Sequence, residues 1–232
     1  MISSNTGYSP ELLRDYQQLI SELKDTITNW GLRYGDHVLK ELEKLHYSHD
    51  IISPIVFNTN LDRTPHDIRH ILVADNPGKE EQAAGQYLLG SAGKTAKYFH
   101  EELLKLDSFR DRVLVLNKTP IHTKATGDLK RLSLPGDLLK ETQLEIARAT
   151  VRLAKLLQCP LWILGTEELS EKGIFRPFVT TVKEEIGTDL ERLRVYKHFS
   201  YGQFLHDLKD GESYALEKLD PVGQKLRDKF FL

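Results

Sequence analysis

Cysteine is almost missing from this chain: Cys159 stands alone among 232 residues. A single thiol excludes an intramolecular disulfide and any cluster held by several thiolates. Cys159 falls in the apolar stretch LLQCPLWIL, where a small, weakly polar side chain is expected to pack in a core. Long hydrophobic runs are missing too. Nothing approaches the ~20 apolar residues that a membrane span requires, so no membrane partner is expected. The opening MISSNTGYSPELL has no basic start followed by an apolar stretch. No secretory signal is expected there, and the expected location is cytoplasmic. Nor is there an excess of one charge: 32 Lys and Arg face 34 Asp and Glu, a net charge of −2. A strongly basic chain would announce a polyanionic partner, and this one does not. A local basic patch is still compatible with a neutral total. The segment from Lys118 to Arg131 holds Lys118, His122, Lys124, Lys130 and Arg131 against Asp128. It is either a phosphate-facing loop or a solvated surface loop.

What is present is an ordinary globular mixture, 40% hydrophobic and 28% charged, long enough for a sizeable core. Leu12, Leu13, Tyr16, Leu19, Ile20 and Leu23 recur at helical spacing. Ser9-Pro10-Glu11 supplies a start signal for a helix from Pro10 toward Leu45. Gly31 and Gly35 predict a break, with a second helix from Asp36. The stretch from His46 to Asp67 reads as irregular. Its HYSHD cluster (His46, His49, Asp50) has no spacing that suggests a metal site. From His70 four strand-sized apolar runs follow: HILVA, RVLVLN, PLWILG and RLRVYKH. Helical patterns separate them at Ala92–Leu106, Asp137–Leu157 and Glu167–Ile186, the last interrupted at Gly173 and Pro177. Two closing helices are expected over Gly202–Lys209 and Ser213–Phe230. Strand and helix in alternation predict a three-layer α/β fold, a central four-stranded parallel sheet flanked by helices. No repeat, linker or low-complexity segment divides the chain. One domain is expected over 1–232, with a helical extension over about 8–46.

Ligands of such sheets bind beyond the carboxyl ends of the strands. Those ends carry Asp75-Asn76-Pro77-Gly78, then Asn117, Gly165-Thr166 and His198-Phe199-Ser200. Two asparagines and a histidine at one edge suit a neutral, hydrogen-bonding ligand such as a base. No serine–histidine–acid arrangement stands out, nor a pair of catalytic carboxylates. GSAGKT (90–95) ends like a phosphate-binding loop, but the leading glycine would fall at Leu88. Triphosphate hydrolysis is therefore not expected, and neither a metal nor a cofactor is called for.

These strand ends resemble the uracil-DNA glycosylase superfamily. Ala74-Asp75-Asn76-Pro77-Gly78 is similar to Gly-x-Asn-Pro-Gly of the mismatch-specific type and Gly-Glu-Ala-Pro-Gly of the iron–sulfur type. The continuation from Gly85 through Gly90 to Gly93 resembles the iron–sulfur type's Gly-x-Pro-Phe-Val-Gly-x-Ala-Gly. Val-Leu-Val-Leu-Asn117 looks like the strand ending in the asparagine that reads uracil, and His198-Phe199-Ser200 resembles His-Pro-Ser. The likeness covers roughly residues 70 to 205, in order. The four cluster cysteines are absent, Ala74 and Phe199 replace a glycine and a proline, and the stacking aromatic falls at Leu88 beside Tyr87.

The resemblance implies hydrolysis of the N-glycosidic bond of uracil or a related deaminated base in DNA, single- or double-stranded, on a flipped nucleotide. It implies that His198 donates to the base oxygen as negative charge builds, that Asn76 orients water and that Asp75 assists electrostatically. Asn117 would read the base edge, and Tyr87 or Leu88 would wall the pocket. Gly78, Ser91, Lys94, Ser200 and Tyr201 would meet DNA, with Tyr201 or Phe204 available to wedge into the base stack. Two other readings of the same residues stay open: a non-catalytic relative that binds nucleic acid or a protein, and a small-molecule enzyme on a similar sheet.

Overall fold

Four short apolar runs form one parallel sheet: β1 (His70–Ala74), β2 (Val113–Asn117), β3 (Leu161–Leu164) and β4 (Leu193–Tyr196), in the order β2-β1-β3-β4. The structure, a computed structural model, describes residues 7–232 apart from the side chain of Tyr201. Register pairs Ala74 with Asn117, Val73 with Ile163, and Leu164 with Tyr196. All four strands therefore end along one edge.

Both sheet faces are buried, which is why the strands read as continuous apolar runs rather than alternating ones. Ile71, Val73, Leu114, Leu116, Ile163 and Val195 face α1 (Pro10–Glu43), α5 (Leu138–Leu157) and α6 (Arg176–Ile186). Leu72, Val113, Val115, Trp162 and Leu164 face the opposite way. That second layer holds α2 (Lys79–Ala84), α3 (Gly90–Tyr98), a π-helical turn at Phe99–Leu103, α4 (Phe109–Arg112) and α7 (Gln203–His206). Helix α8 (Leu219–Phe231) packs along β4 and buries Phe231. The expected three-layer α/β arrangement is thus present. Among the described residues no helix is long and apolar enough to cross a membrane.

The expected break in the first helix does not occur. Helix α1 runs unbroken for 34 residues. Two interior glycines cost about 1 kcal/mol each relative to alanine, but buried side chains lie on both sides of them. Ile27 precedes Gly31, and Val38 and Leu42 follow Gly35, all in the same core. Tertiary packing overrides the weak local signal. The start is as expected: Ser9 caps the helix, its hydroxyl accepting from the Leu12 N–H at 3.2 Å. Helix α6 begins at Arg176, with Pro177 in its first turn, not at Glu167. The chain end also differs from expectation. Residues Lys209–Asp210 and Ser213–Tyr214 form a two-stranded hairpin, β5 and β6, around Gly211. Gly211 sits at φ +59°, a left-handed turn that a helix cannot contain.

Between sheet and α3 lies a stack of rings. The Trp162 indole lies 3.9 Å from the His70 ring at 17°. His100 donates from Nδ1 to the Ala96 carbonyl at 2.7 Å, which leaves its Nε2 to accept from His70 Nε2 at 2.9 Å. Both imidazoles are buried and neutral. Burial drives the His100 pKa down to about 4, against the Ala96 carbonyl. Burial and the neighbouring His100 push His70 well below its usual value. In the unfolded chain both rings take a proton near pH 6.5. The unfolded state thus binds more protons below that pH, and stability falls as pH drops from 6.5 toward 4. The expected loss from His100 alone is about 3 kcal/mol. Urea unfolding at stepped pH measures it, and His100→Phe should make the slope in that window shallower, leaving the part that belongs to His70.

Candidate active site

Where the four strands end, the chain leaves a cleft of about 680 Å³. Its lining includes Asp75, Asn76 and Gly78 after β1, Thr123 and Thr126 after β2, Gly165 and Thr166 after β3, and His198 and Ser200 after β4. Candidates from two distant parts of the chain, Asp75 and Asn76 after β1 and His198 after β4, therefore line one cavity.

Asp75 is held from behind. Lys118, the residue after β2, has no exposed side-chain surface, and its ammonium lies 2.5 Å from Asp75 Oδ1. It also donates to the Leu164 carbonyl at the end of β3 and sits 4.9 Å over the Phe175 ring. Burial alone would raise the Asp75 pKa, but Lys118 and His198 outweigh it and the carboxyl lies below its ordinary value. Burial lowers Lys118 in turn, with Asp75 opposing. Gly165 makes room for this carboxylate. Its φ is +78°, and a Cβ there would fall 2.4 Å from Asp75 Oδ1.

Asn76 is oriented by the loop after β2. Its Nδ2 donates to Thr123 Oγ1 at 2.9 Å and to the carbonyls of Thr123 and Pro77 at 3.2 and 3.3 Å. Two backbone acceptors around one atom identify it as the amide nitrogen. Among the described residues, Oδ1 has no protein partner and remains an acceptor. His122 braces the same turn. It donates from Nδ1 to the Pro77 carbonyl at 2.9 Å, and its Nε2 lies 3.3 Å from His49 Nε2.

His198 is oriented from the other side. The Ser200 N–H donates to Nδ1 at 3.2 Å, with Ser200 Oγ at 2.7 Å. Nδ1 therefore carries the lone pair and Nε2 the proton. Burial lowers the His198 pKa, with Asp75 opposing it. The ring is a neutral donor at neutral pH.

Asn117 is fully buried, and neither amide atom has a hydrogen-bond partner. It lies beside Ala74 in the ladder and close enough to Glu81 to favour that carboxylate's charged form, though without good hydrogen-bond geometry. Asn117 does not line the cleft, as the expected base-reading residue would; Ala74 and Glu81 line it, and the last side chain of β2 is buried behind them.

Several expected positions need correction. Tyr87 and Leu88 do not wall the cleft. Both are core residues, 3% and 1% exposed, and Leu89 lines the cleft instead. Leu88 adopts φ +55°, and Arg110 clamps the carbonyls of Tyr87 and Leu88 at 2.7 and 2.6 Å. The Tyr87 hydroxyl donates to the Val56 carbonyl. This bend turns both side chains inward. Lys118 is no phosphate-facing residue, because its charge is spent on Asp75. Lys130 pairs with Glu168 at 2.6 Å and Arg131 with Asp128 at 3.1 Å. Ser91 and Gly78 line the cleft, whereas Lys94 is exposed outside it. Ser200 serves His198. Phe204 is buried, stacked on Phe199 at 4.2 Å, and cannot wedge into a duplex. The side chain of Tyr201 lies outside the described residues. Sequence reasoning missed Thr123 and the role of Lys118; the only available signal was their closeness to Asn117.

Gly165→Ala should be costly, because it combines backbone strain with a clash against a fixed carboxylate. The expected loss is roughly 2 kcal/mol or more, read as a lowered urea midpoint. Gly127→Ala, where an added Cβ meets nothing within 4 Å, should leave the midpoint nearly unchanged.

No family model matches the chain, and no curated protein matches it.

Proposed function

We propose that this chain is a DNA glycosylase that hydrolyses the N-glycosidic bond of uracil or a related deaminated base. The observation that carries the reading is the meeting of a neutral Nε2–H donor, an unpaired amide oxygen and an ionised carboxylate in one cleft. Bond cleavage leaves positive charge on the sugar and negative charge on the departing base. The Asp75 carboxylate is suited to face the first, and the His198 Nε2–H to meet the second as it grows. The Asn76 oxygen accepts from the attacking water and aims it. Asparagine is no base at neutral pH, so it positions the water without removing its proton.

The bare Asn117 amide adds support. An unsatisfied buried donor and acceptor cost about 1–3 kcal/mol, and such a group calls for an explanation; a base that displaced the Ala74 and Glu81 wall would supply its partners. One amide offers a donor and an acceptor together, the pattern that fits uracil and mismatches cytosine. A hydrogen-bonding site of this kind can reject the wrong partner by ~10⁴.

The test is incubation with single- and double-stranded uracil DNA followed by alkali, which breaks the strand at each abasic site. His198→Ala should slow base release by about 100–1000-fold, and Asn76→Ala by about 100-fold. No release from uracil, hypoxanthine or xanthine substrates by the intact protein sinks the proposal. Asn117→Leu should separate two properties: the fold gains about 1 kcal/mol in urea while base release is lost. The pH profile has a defined shape as well. Both His198 and Asp75 titrate below their ordinary values, so the rate should stay level from pH 8 down past 6.5 before it falls.

A further inference from the structure

The Lys118–Asp75 pair has a property that packing does not explain. Burying two charges costs several kcal/mol per ion before their attraction is counted. Apolar residues of similar volume commonly serve a core as well or better. The Phe175 ring lies under the ammonium, 4.9 Å from it. The pair is also lopsided. The lysine has no exposed side-chain surface, whereas the Asp75 side chain keeps 22%. One carboxylate oxygen, Oδ1, is taken by the ammonium. The other, Oδ2, has only the distant Thr126 Oγ1 at 3.5 Å among the described residues. Gly165 forgoes a side chain where one would collide with Oδ1. Lysine, carbonyl and glycine thus hold one face of a carboxylate whose other face lines the cleft.

We propose that Lys118 is a positioning residue: its ammonium, sealed behind the cleft, fixes Oδ1 of Asp75 so that Oδ2 is presented, charged, to the reacting sugar. The reaction named here rests on the glycosylase reading; the hold of Lys118 on Asp75 does not. The titratable groups that face Asp75 are Lys118, after β2, and His198, after β4. His198 in turn faces Asp75, Lys118 and Glu167. Without Lys118 the carboxylate would keep only a neutral imidazole beside it, and burial would drive it toward the protonated form.

The experiment measures the hold and its use separately. The Asp75 carboxyl is titrated by carbon NMR in labelled wild-type protein and in Lys118→Met. The expected result is an upward move of roughly two pH units in the variant. Base release is then followed against pH. In Lys118→Met the acidic limb should move up by the same amount, with about 10-fold loss near pH 5 and recovery toward pH 8. A lysine that only stabilised the fold would lower the rate equally at every pH. If Lys118→Met does not fold, Asp75→Asn reads the same coupling from the other side: the Lys118 ammonium should titrate lower than in wild type. An unmoved carboxyl, or an unmoved ammonium in Asp75→Asn, overturns the proposal. So does a moved carboxyl with an unmoved acidic limb. Absence of base release by the wild type would sink the glycosylase reading instead, and the titrations would still judge the pair.

Discussion

A lysine ammonium with no exposed surface sits at the point where three strands end, and the cleft is organised about it. Lys118 follows β2, its carboxylate partner follows β1, and the carbonyl it meets closes β3. Its own backbone N–H bonds to the carbonyls of Ala74 and Asp75, both at 2.9 Å. A buried cation must satisfy its three N–H groups or lose its proton. That demand fixes the relative positions of three loops that no regular ladder connects. Asp75 and Asn76 are consecutive, so fixing one also places the other. Gly165 and Thr166 follow directly from Leu164. The chemistry of the cleft thus inherits its geometry from a charge that no substrate touches.

The two polar side chains that would act directly are set by local devices. Asn76 owes its orientation to Thr123 and to the Pro77 turn that His122 braces. His198 owes its tautomer to the Ser200 N–H, a few atoms along its own chain. Such bonds cost little, because the donors and acceptors are near in sequence or already ordered by the sheet. Among the described residues they leave Oδ1 of Asn76 and Nε2 of His198 without partners, and both residues line the cleft. The lining also carries carboxylates, among them Glu80 and Glu167, against Lys79 and Lys124. The cleft therefore does not draw in a polyanion by net charge. Recognition would have to rest on the base and on the individual groups that meet it.

Much of this was legible in the sequence, for a definite reason. Strands buried on both faces leave unbroken apolar runs, and those runs end where the sheet ends. Asp75, Asn76, Asn117 and His198 could be placed at one edge from that alone. What stayed hidden depended on long-range partners. Lys118 reads as surface because lysine is charged, and only Asp75, 43 residues away, makes its burial tolerable. Tyr87 and Leu88 read as a pocket wall because the positive φ at Leu88 and the grip of Arg110 leave no trace in periodicity. Gly31 and Gly35 read as a break because their cost is local, while the buried side chains that outweigh it belong to the tertiary core.

The ring stack on the far face of the sheet gives the molecule a built-in optical reporter. The chain has two tryptophans, and one of them, Trp162, lies flat against an imidazole that the fold keeps uncharged. Emission from that indole senses the charge and distance of whatever ring covers it. Acid that protonates the stack, or heat that parts β1 from β3, should therefore register in the fluorescence spectrum without any dye or label.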